Sequence, residues 1–289
     1  LVPLPQPEEL ASFYPPVYTF ATDLAETNSL QRFLRKFEYA AFYRLQYRGQ
    51  VNTVLTHVAH QPPSGRRLLD IGCGRGLRLL EFQSRGWQVY GADFDDSCVR
   101  YLRDTLGIPA VCADVADVAE HYPSESFDLV TAFHLIEHIP NVSSALAACF
   151  NLLKPSGWLA IACPLADNPG LRLFGTHWSG ISEAPRHLTI PSVRGLLEAV
   201  QENGFRNPTV LPDHFLNCAG LYALSLVPMA NTTSATGRGF LGAVAARLLG
   251  GIGLVAGCLA RVAEKTTGAA PACGILLAQK PTSEEMARL

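Results

Sequence analysis

What most constrains this chain is a regular alternation of short apolar runs with amphipathic ones between residues 66 and 211. Strand-like runs fall at 67–71, 88–92, 110–113, 127–133, 158–163 and 205–211. Helical patterns lie between them at 77–85, 97–106, 143–153 and 192–203. A helix joining two strands brings the second back parallel to the first, so the pattern predicts a doubly wound α/β sheet with helices on both faces. Gly107, Gly157 and Gly204 stand where helix ends or turns are expected.

The flanks differ in character. Residues 1–27 are Pro-rich and read as an irregular arm, and the first seven lack the charged start and apolar stretch of a signal peptide. A helix is predicted over 28–60, since Leu30, Phe33, Leu34, Phe37, Ala41, Leu45, Val51, Leu55 and Val58 keep about a 3.6-residue period. Gly49 is a candidate break in it, and Pro62 and Pro63 end it. Residues 215–263 are rich in Gly, Ala and Leu, hold no acid, and carry only Arg238, Arg247 and Arg261 as charges. A last strand is predicted at 273–279. The expected division is a helical N-terminal arm at 1–65, a core at 66–214 with 272–281, and an apolar helical insert at 215–271.

Charge excludes one class of partner. The 23 Lys and Arg nearly balance 25 Asp and Glu, and no basic run appears, so nothing provides a grip on nucleic acid. The eight cysteines form no Cys-x-x-Cys pair. They read as reduced thiols of a cytoplasmic protein, without a zinc knuckle or a disulfide frame.

The predicted first strand runs into Asp70-Ile71-Gly72-Cys73-Gly74-Arg75-Gly76 and then a helix. Glycines at such a turn let the backbone approach a nucleotide cofactor closely. A dinucleotide fingerprint G-x-G-x-x-G would need glycine at position 77, which is Leu77. Asp70 would also repel a pyrophosphate, whereas S-adenosylmethionine (SAM) carries an ammonium and a sulfonium that a carboxylate stabilises. The chemistry favours SAM over NAD.

On these residues the chain resembles the class I SAM-dependent methyltransferases over about 68–211. The resemblance implies a Rossmann-like seven-stranded sheet whose last strand is antiparallel. It implies a cofactor site built from Asp70, Gly72, Cys73, Gly74 and Gly76. Asp93, ending the second strand, would accept from the ribose hydroxyls, with Phe94 against the adenine. Asp114, after the third, would accept from the adenine amino group. Phe133, ending the fourth, would lie near the methyl group. Asp70, Asp93 and Asp114 at three successive strand ends make a stronger signal than any one of them, which alone could be a helix cap.

On the acceptor side, His134-Leu135-Ile136-Glu137-His138 matches the H-x-x-E-H of inverted zinc proteases. That motif needs a helix to present both histidines, and here it follows directly from a parallel strand, so the protease is rejected. The segment is similar to the E-x-x-E-H of the ubiquinone-biosynthesis O-methyltransferases, which implies a divalent metal at His134, Glu137 and His138. Local hydrogen bonding by the same residues is the favoured alternative. Residues 173–188 are similar to the W…P-R-H-L segment of small-molecule methyltransferases. An O-methyl acceptor must lose a proton as it attacks, and a histidine suits that task. The catalytic candidates are His187, then His138, then His134. Trp178 and Arg186 are candidates to wall the acceptor pocket or to pair an anionic group of the substrate, with Arg186 alternatively paired to Glu183.

The expected activity is methyl transfer from SAM to a small, hydrophobic acceptor, at oxygen of a quinone, lipid-like or secondary-metabolite molecule. A SAM-binding scaffold without catalysis and an NAD-linked oxidoreductase are the alternatives. The insert is read as a lid with peripheral membrane contact or as a homo-oligomer interface. Arg247 and Arg261 fall on nearly one helical face, as an interfacial helix would want, and Gly253 and Gly257 permit close helix contact.

Overall fold

The computed structural model describes residue 9 and residues 44–58, 65–181, 186–226 and 240–288, with only the helical backbone over 240–250. The predicted arm at 1–27, the helix before residue 44 and Glu183 lie outside the described residues, Glu9 aside.

Seven strands form one sheet: β1 (Arg67–Ile71), β2 (Gln88–Asp93), β3 (Ala110–Cys112), β4 (Phe127–Phe133), β5 (Leu153–Pro164), β6 (Arg206–Pro212) and β7 (Cys273–Gln279). Their order is β3-β2-β1-β4-β5-β7-β6. β1 pairs in parallel with both β2 and β4, and β7 runs antiparallel between β5 and β6. The predicted sheet and its antiparallel last strand are therefore present. Strand order reverses between β1 and β4, and that reversal opens a crevice at the carboxyl ends of both strands.

Neighbouring residues of β1 serve opposite faces. Leu69 and Ile71 pack with Val130, Ile161 and Leu276 on one side, while Leu68 packs with Leu79, Phe82 and Leu129 on the other. A strand covered on both faces has no need of polar alternation, and this is why these runs are continuously apolar. β5 begins five residues earlier than predicted, because Leu153 pairs with Phe127 across a bulge before Trp158 pairs with Leu129.

The helices are α1 (Arg44–Val58), α2 (Leu77–Gln83), α3 (Asp96–Arg100), α4 (Val142–Leu152), α5 (Pro169–Phe174), α6 (Val193–Glu202), α7 (Phe215–Leu226), α8 (Phe240–Thr267) and α9 (Ser283–Met286). Asp95, Asn141, Asn168 and Ser192 accept from backbone amides in the first turns of α3 to α6, which fixes where those helices start. Gly49 does not interrupt α1. A Cβ there would come within 1.9 Å of the His214 ring, so glycine serves close packing between the helix and the segment that follows β6.

The insert is a helical pair, α7 and α8. Gly253 and Gly257 bring the α8 backbone against Ala223 and Ala219 of α7, where a Cβ on Gly257 would lie 2.1 Å from the Ala219 carbonyl oxygen. Gly257→Leu is expected to destabilise the protein by about 2 kcal/mol or more, because a backbone atom cannot yield as a side chain can. A thermal melt unchanged by this substitution would contradict the packing. Arg261 departs from the interfacial role predicted for it. It is buried and pairs with Glu264 at 3.0 Å, while Glu264 also accepts from the Tyr222 hydroxyl at 2.5 Å. Arg247 lies where side chains are not described. Among the described residues no helix is long and apolar enough to cross a membrane.

Candidate functional site

The glycine turn closes the carboxyl end of β1. Gly72, Gly74 and Gly76 all have positive φ (70°, 51° and 70°), which a side chain would strain. The amides of Gly72 and Cys73 donate to the Ala92 carbonyl at 2.8 and 3.1 Å, and the Gly74 amide donates to Asp93 Oδ2 at 2.7 Å. Asp93 Oδ1 takes the Asp95 amide at 2.9 Å. Asp93 thus shapes the turn, with lone pairs on both oxygens remaining for further donors. Burial pushes its carboxyl above the usual range, against these two amides.

Asp70 is the most unusual group in the crevice. It is 1 % exposed, and its Oδ1 accepts from Thr131 Oγ1 at 2.6 Å, while Oδ2 is buried without any hydrogen-bond partner. Burial raises its pKa to about 6, opposed by Arg78 and the Thr131 hydroxyl and assisted by Asp93. An unpaired buried carboxylate oxygen costs free energy unless a donor or cation arrives to meet it. Beside a turn of three glycines, that is a seat for a cationic, nucleotide-like group, so the residues present fit SAM.

The other predicted cofactor residues are placed as follows. Cys73 is buried, and burial first, then Asp70 and Asp93, push its thiol up, so it stays a neutral packing group. Phe94 is 53 % exposed, one residue beyond the end of β2. Asp114 is exposed just beyond β3. Phe133 is buried, with the Arg78 guanidinium 4.8 Å from its ring centre.

His134 follows with φ +54°, a left-handed conformation costly for a side-chain-bearing residue. This turns the chain out of β4 into the short 3-10 turn Ile136–His138, and Leu135 comes to pack on Gly72. The acceptor-side segment is thereby pinned to the cofactor turn. His134 Nδ1 lies 3.5 Å from Glu137 Oε1, and its Nε2 lies 3.9 Å from Asp213 Oδ2 and 3.2 Å from Asn217 Nδ2.

Glu137 is buried to 1 %, and neither carboxylate oxygen has a partner within hydrogen-bonding geometry. Burial alone would raise its pKa. The approach of His134 to 3.5 Å, with the charges of His138 and His187 beyond, outweighs that and holds it below the usual value. The Glu137 backbone carbonyl accepts from the Leu188 and Thr189 amides at 2.7 and 3.2 Å, which brings the 186–188 segment onto the motif. The rings of His138 and His187 meet with centroids 4.7 Å apart. His138 Nδ1 reaches the Arg186 carbonyl at 3.1 Å, and His187 Nδ1 reaches the Gly180 carbonyl at 2.6 Å. Both Nδ1 atoms therefore act as donors, so each neutral ring has its lone pair on Nε2.

Two predictions need correction. The metal set that the resemblance implied at His134, Glu137 and His138, ranked behind local hydrogen bonding, is not one that the fold brings together. Among the described residues, ligand atoms come within 4.8 Å of one another in two other sets, His134 with Asp213 and Cys273, and Glu137 with His138 and His187. Trp178, expected to wall an open pocket, has no exposed surface. Its ring covers Gly180, where a Cβ would sit 2.3 Å from a ring carbon, and it clusters with Cys218, Tyr222 and Cys273. It is a core residue joining this connection to the insert. Arg186 is half-buried, and its backbone carbonyl holds His138.

Sequence reasoning missed Thr131, Arg78, Gln50, Asn217 and Asp213. Asp213 had a signal: it is the residue after β6, a fourth acid at the carboxyl end of a parallel strand, matching the rule that found the other three.

A family model described as a methyltransferase domain matches residues 39–210. A ubiquinone biosynthesis O-methyltransferase of Chromobacterium violaceum is 34 % identical over 105 residues, 35 % of this chain and 45 % of that protein. The chain thus spans less than half the length of this curated relative. A SAM-dependent methyltransferase of Archaeoglobus fulgidus shares the fold, with TM-score 0.56 at 19 % identity over 86 % of this chain and all of that one. The [4+2]-cyclase SpnF superposes equally well, with TM-score 0.56 at 19 % identity over 97 % and 98 % of the two chains. A shared fold of this kind does not fix the reaction.

Proposed function

The chain belongs to the family of methyltransferase domains, and from that premise we infer that it transfers a methyl group from SAM to a hydroxyl of a small, hydrophobic acceptor. The observation that carries this reading is the unpaired, buried Oδ2 of Asp70 beside a turn of three positive-φ glycines. Asp70, Gly72, Gly74 and Gly76 would hold the amino-acid end, Asp93 the ribose, and Phe94 and Asp114 the adenine. Bound SAM supplies a methyl carbon on a sulfonium: the acceptor oxygen forms the C–O bond, the C–S electron pair stays on sulfur, and the hydroxyl proton goes to a base.

The chain's own contribution is orientation and proton acceptance. Holding the acceptor oxygen, methyl carbon and sulfur in line provides much of the acceleration of a two-reactant displacement. His134, His138 and His187 are the candidate bases, and His134 is the one whose segment abuts the glycine turn. The relatives' printed activity supports oxygen as the methylated atom and a quinone-like acceptor. Calorimetry is expected to show binding of SAM and of S-adenosylhomocysteine and none of NAD. Absence of SAM binding would sink the reading, while binding without methyl transfer to any component of a cell extract would leave a scaffold.

A second proposal concerns residues 215–263. On α8, Ile252, Val255, Leu259 and Val262 are all more than half exposed, at helical spacings of three, four and three. Gly253 and Gly257 occupy the opposite face against α7. Such a stripe suits peripheral contact with a bilayer that holds the acceptor. The four-serine variant of these residues is expected to lose flotation with anionic liposomes. Equal recovery of both proteins in the soluble fraction, with a dimer lost in the variant, would instead assign the stripe to a homo-oligomer interface.

A further inference from the structure

Arg78 has no part in the site as assigned above. It is the second residue of α2, half-buried, just past the glycine turn. Its guanidinium carbon lies 4.8 Å from the centres of two rings, Tyr47 of α1 and Phe133 at the end of β4. Its Nε donates to Gln50 Oε1 at 3.0 Å. Gln50 is itself held. It is fully buried, and its Nε2 donates at 2.9 Å to Asp213 Oδ2, which also accepts from Asn217 Nδ2 of α7. The Asp213 side chain has no exposed surface. A carboxylate only accepts, so Gln50 must turn its nitrogen to Asp213 and its oxygen to Arg78. Two rings and one amide thereby fix where the guanidinium points, and they use one of its five N–H donors. Among the described residues, Nη1 and Nη2 donate to no protein atom. Those two nitrogens form a planar fork that matches a carboxylate with two parallel bonds.

Asp70 lies on the same side of the sheet. Leu68 and Phe133 pack on one face. Asp70 is two residues on from Leu68 and pairs with Thr131, two residues before Phe133, so its side chain points the same way. The two charges act on each other, since Arg78 opposes the rise in the Asp70 pKa, yet no hydrogen bond joins them. An ion pair built for the fold would close that gap. Instead Asp70 Oδ2 lacks a donor and the Arg78 fork lacks an acceptor, at the same end of the sheet. A ligand with an ammonium and a carboxylate on one carbon satisfies both. The methionine end of SAM is such a group.

We propose that Arg78 binds the carboxylate of SAM through Nη1 and Nη2 while Asp70 takes the ammonium, so that the pair selects a complete amino-acid end. The Arg78 role rests on the reading of SAM as the cofactor. Gln50 is then a positioning residue. Through Asp213 it ties the direction of the guanidinium to the docking of α1 and α7.

The probe is decarboxylated SAM, which keeps the ammonium, sulfonium and adenosine and lacks only the carboxylate. Calorimetry at pH 7.5 with the full chain is expected to show SAM bound about 10- to 100-fold more tightly than the decarboxylated form, the range for hydrogen bonds between charged groups. Arg78→Gln should lose about that factor for SAM. It should bind the decarboxylated form as well as wild type or better, because a cation has been removed from beside a dication. Asp70→Asn should weaken both ligands, since both carry the ammonium. Arg78→Lys keeps the charge without the fork and is expected to retain a smaller preference for SAM, which decides the matter if Arg78→Gln does not fold. Equal wild-type affinities, a loss in Arg78→Gln that falls on both ligands alike, or a preference undiminished in Arg78→Lys would overturn the Arg78 role and leave SAM as the cofactor. Failure of the wild-type protein to bind either ligand would sink the SAM reading, and the Arg78 role with it.

Discussion

Replacing Asp70 by Asn is expected to weaken SAM binding by about one to two orders of magnitude while raising the melting temperature of the ligand-free protein at pH 7.5. Both effects come from one buried, half-satisfied carboxyl group. In the folded chain its pKa is about 6, against an ordinary value of 3.8. Between those values the folded protein holds the proton more tightly than the unfolded chain does. The stability it contributes is therefore complete below about pH 3.8 and is lost as pH rises through about 6. Two pKa units correspond to about 3 kcal/mol, all of it lost at pH 7.5. Asn removes the charge and keeps an oxygen for the Thr131 hydroxyl, but its own amide hydrogens go unpaired where Oδ2 was. The net gain should be about 1–2 kcal/mol. The bound cofactor's cation would lose a charged partner, worth about 1.5–3 kcal/mol, hence roughly 10- to 150-fold in affinity. Binding should also be proton-linked. Wild-type affinity is expected to fall by up to about tenfold per pH unit below 6, and the Asn variant should show a flat profile there. Calorimetry across pH 5–8 and thermal melts at pH 7.5 test the pair of effects. Undiminished affinity in the variant would remove Asp70 from the cofactor site.

The cofactor half of this picture was legible in the sequence because it is local. A strand, a glycine turn and a helix are contiguous, and in a parallel sheet an acid at a strand's end falls at the same edge as every other such acid. That rule found Asp70, Asp93 and Asp114, and applied once more it would have found Asp213. The acceptor half was less legible because it is assembled across long separations. Nothing in Gln50, Asn217 and Asp213 taken singly says that they meet, since α1, α7 and β6 come together only when the insert folds back. Trp178 was misread because an aromatic residue in a long connection suggests a pocket wall. The glycines at 170 and 180 that make room for its ring signal instead that it is packed inside. Arg261 was misread for a similar reason, since its partner Glu264 lies just beyond the acid-free stretch that suggested an interfacial helix.

Three histidines compete for the role of base, and substitution should separate them. His134→Gln is expected to lower kcat by about 10²- to 10⁴-fold, the range for loss of a positioned acid or base. SAM affinity should stay close to wild type, because the residue contacts none of the glycine-turn amides. Its ring is the one held between two buried carboxylates, and an imidazolium formed by proton acceptance would lie between Glu137 and Asp213 at 3.5 and 3.9 Å. His187 and His138 are used differently, each donating from Nδ1 to a backbone carbonyl. The His187 bond to Gly180 holds the 3-10 turn Ser179–Ile181, which lies over the Trp178 ring. His187→Gln should therefore act first on stability, by about 1–2 kcal/mol for a bond broken at a half-buried site, with a smaller loss in kcat. Measuring kcat, KM and melting temperature for the three glutamine variants distinguishes the roles. If His187→Gln abolished turnover in a protein of unchanged stability, with His134→Gln still active, the base would be His187. The buried pair of acids around His134 would then serve the fold and not the reaction.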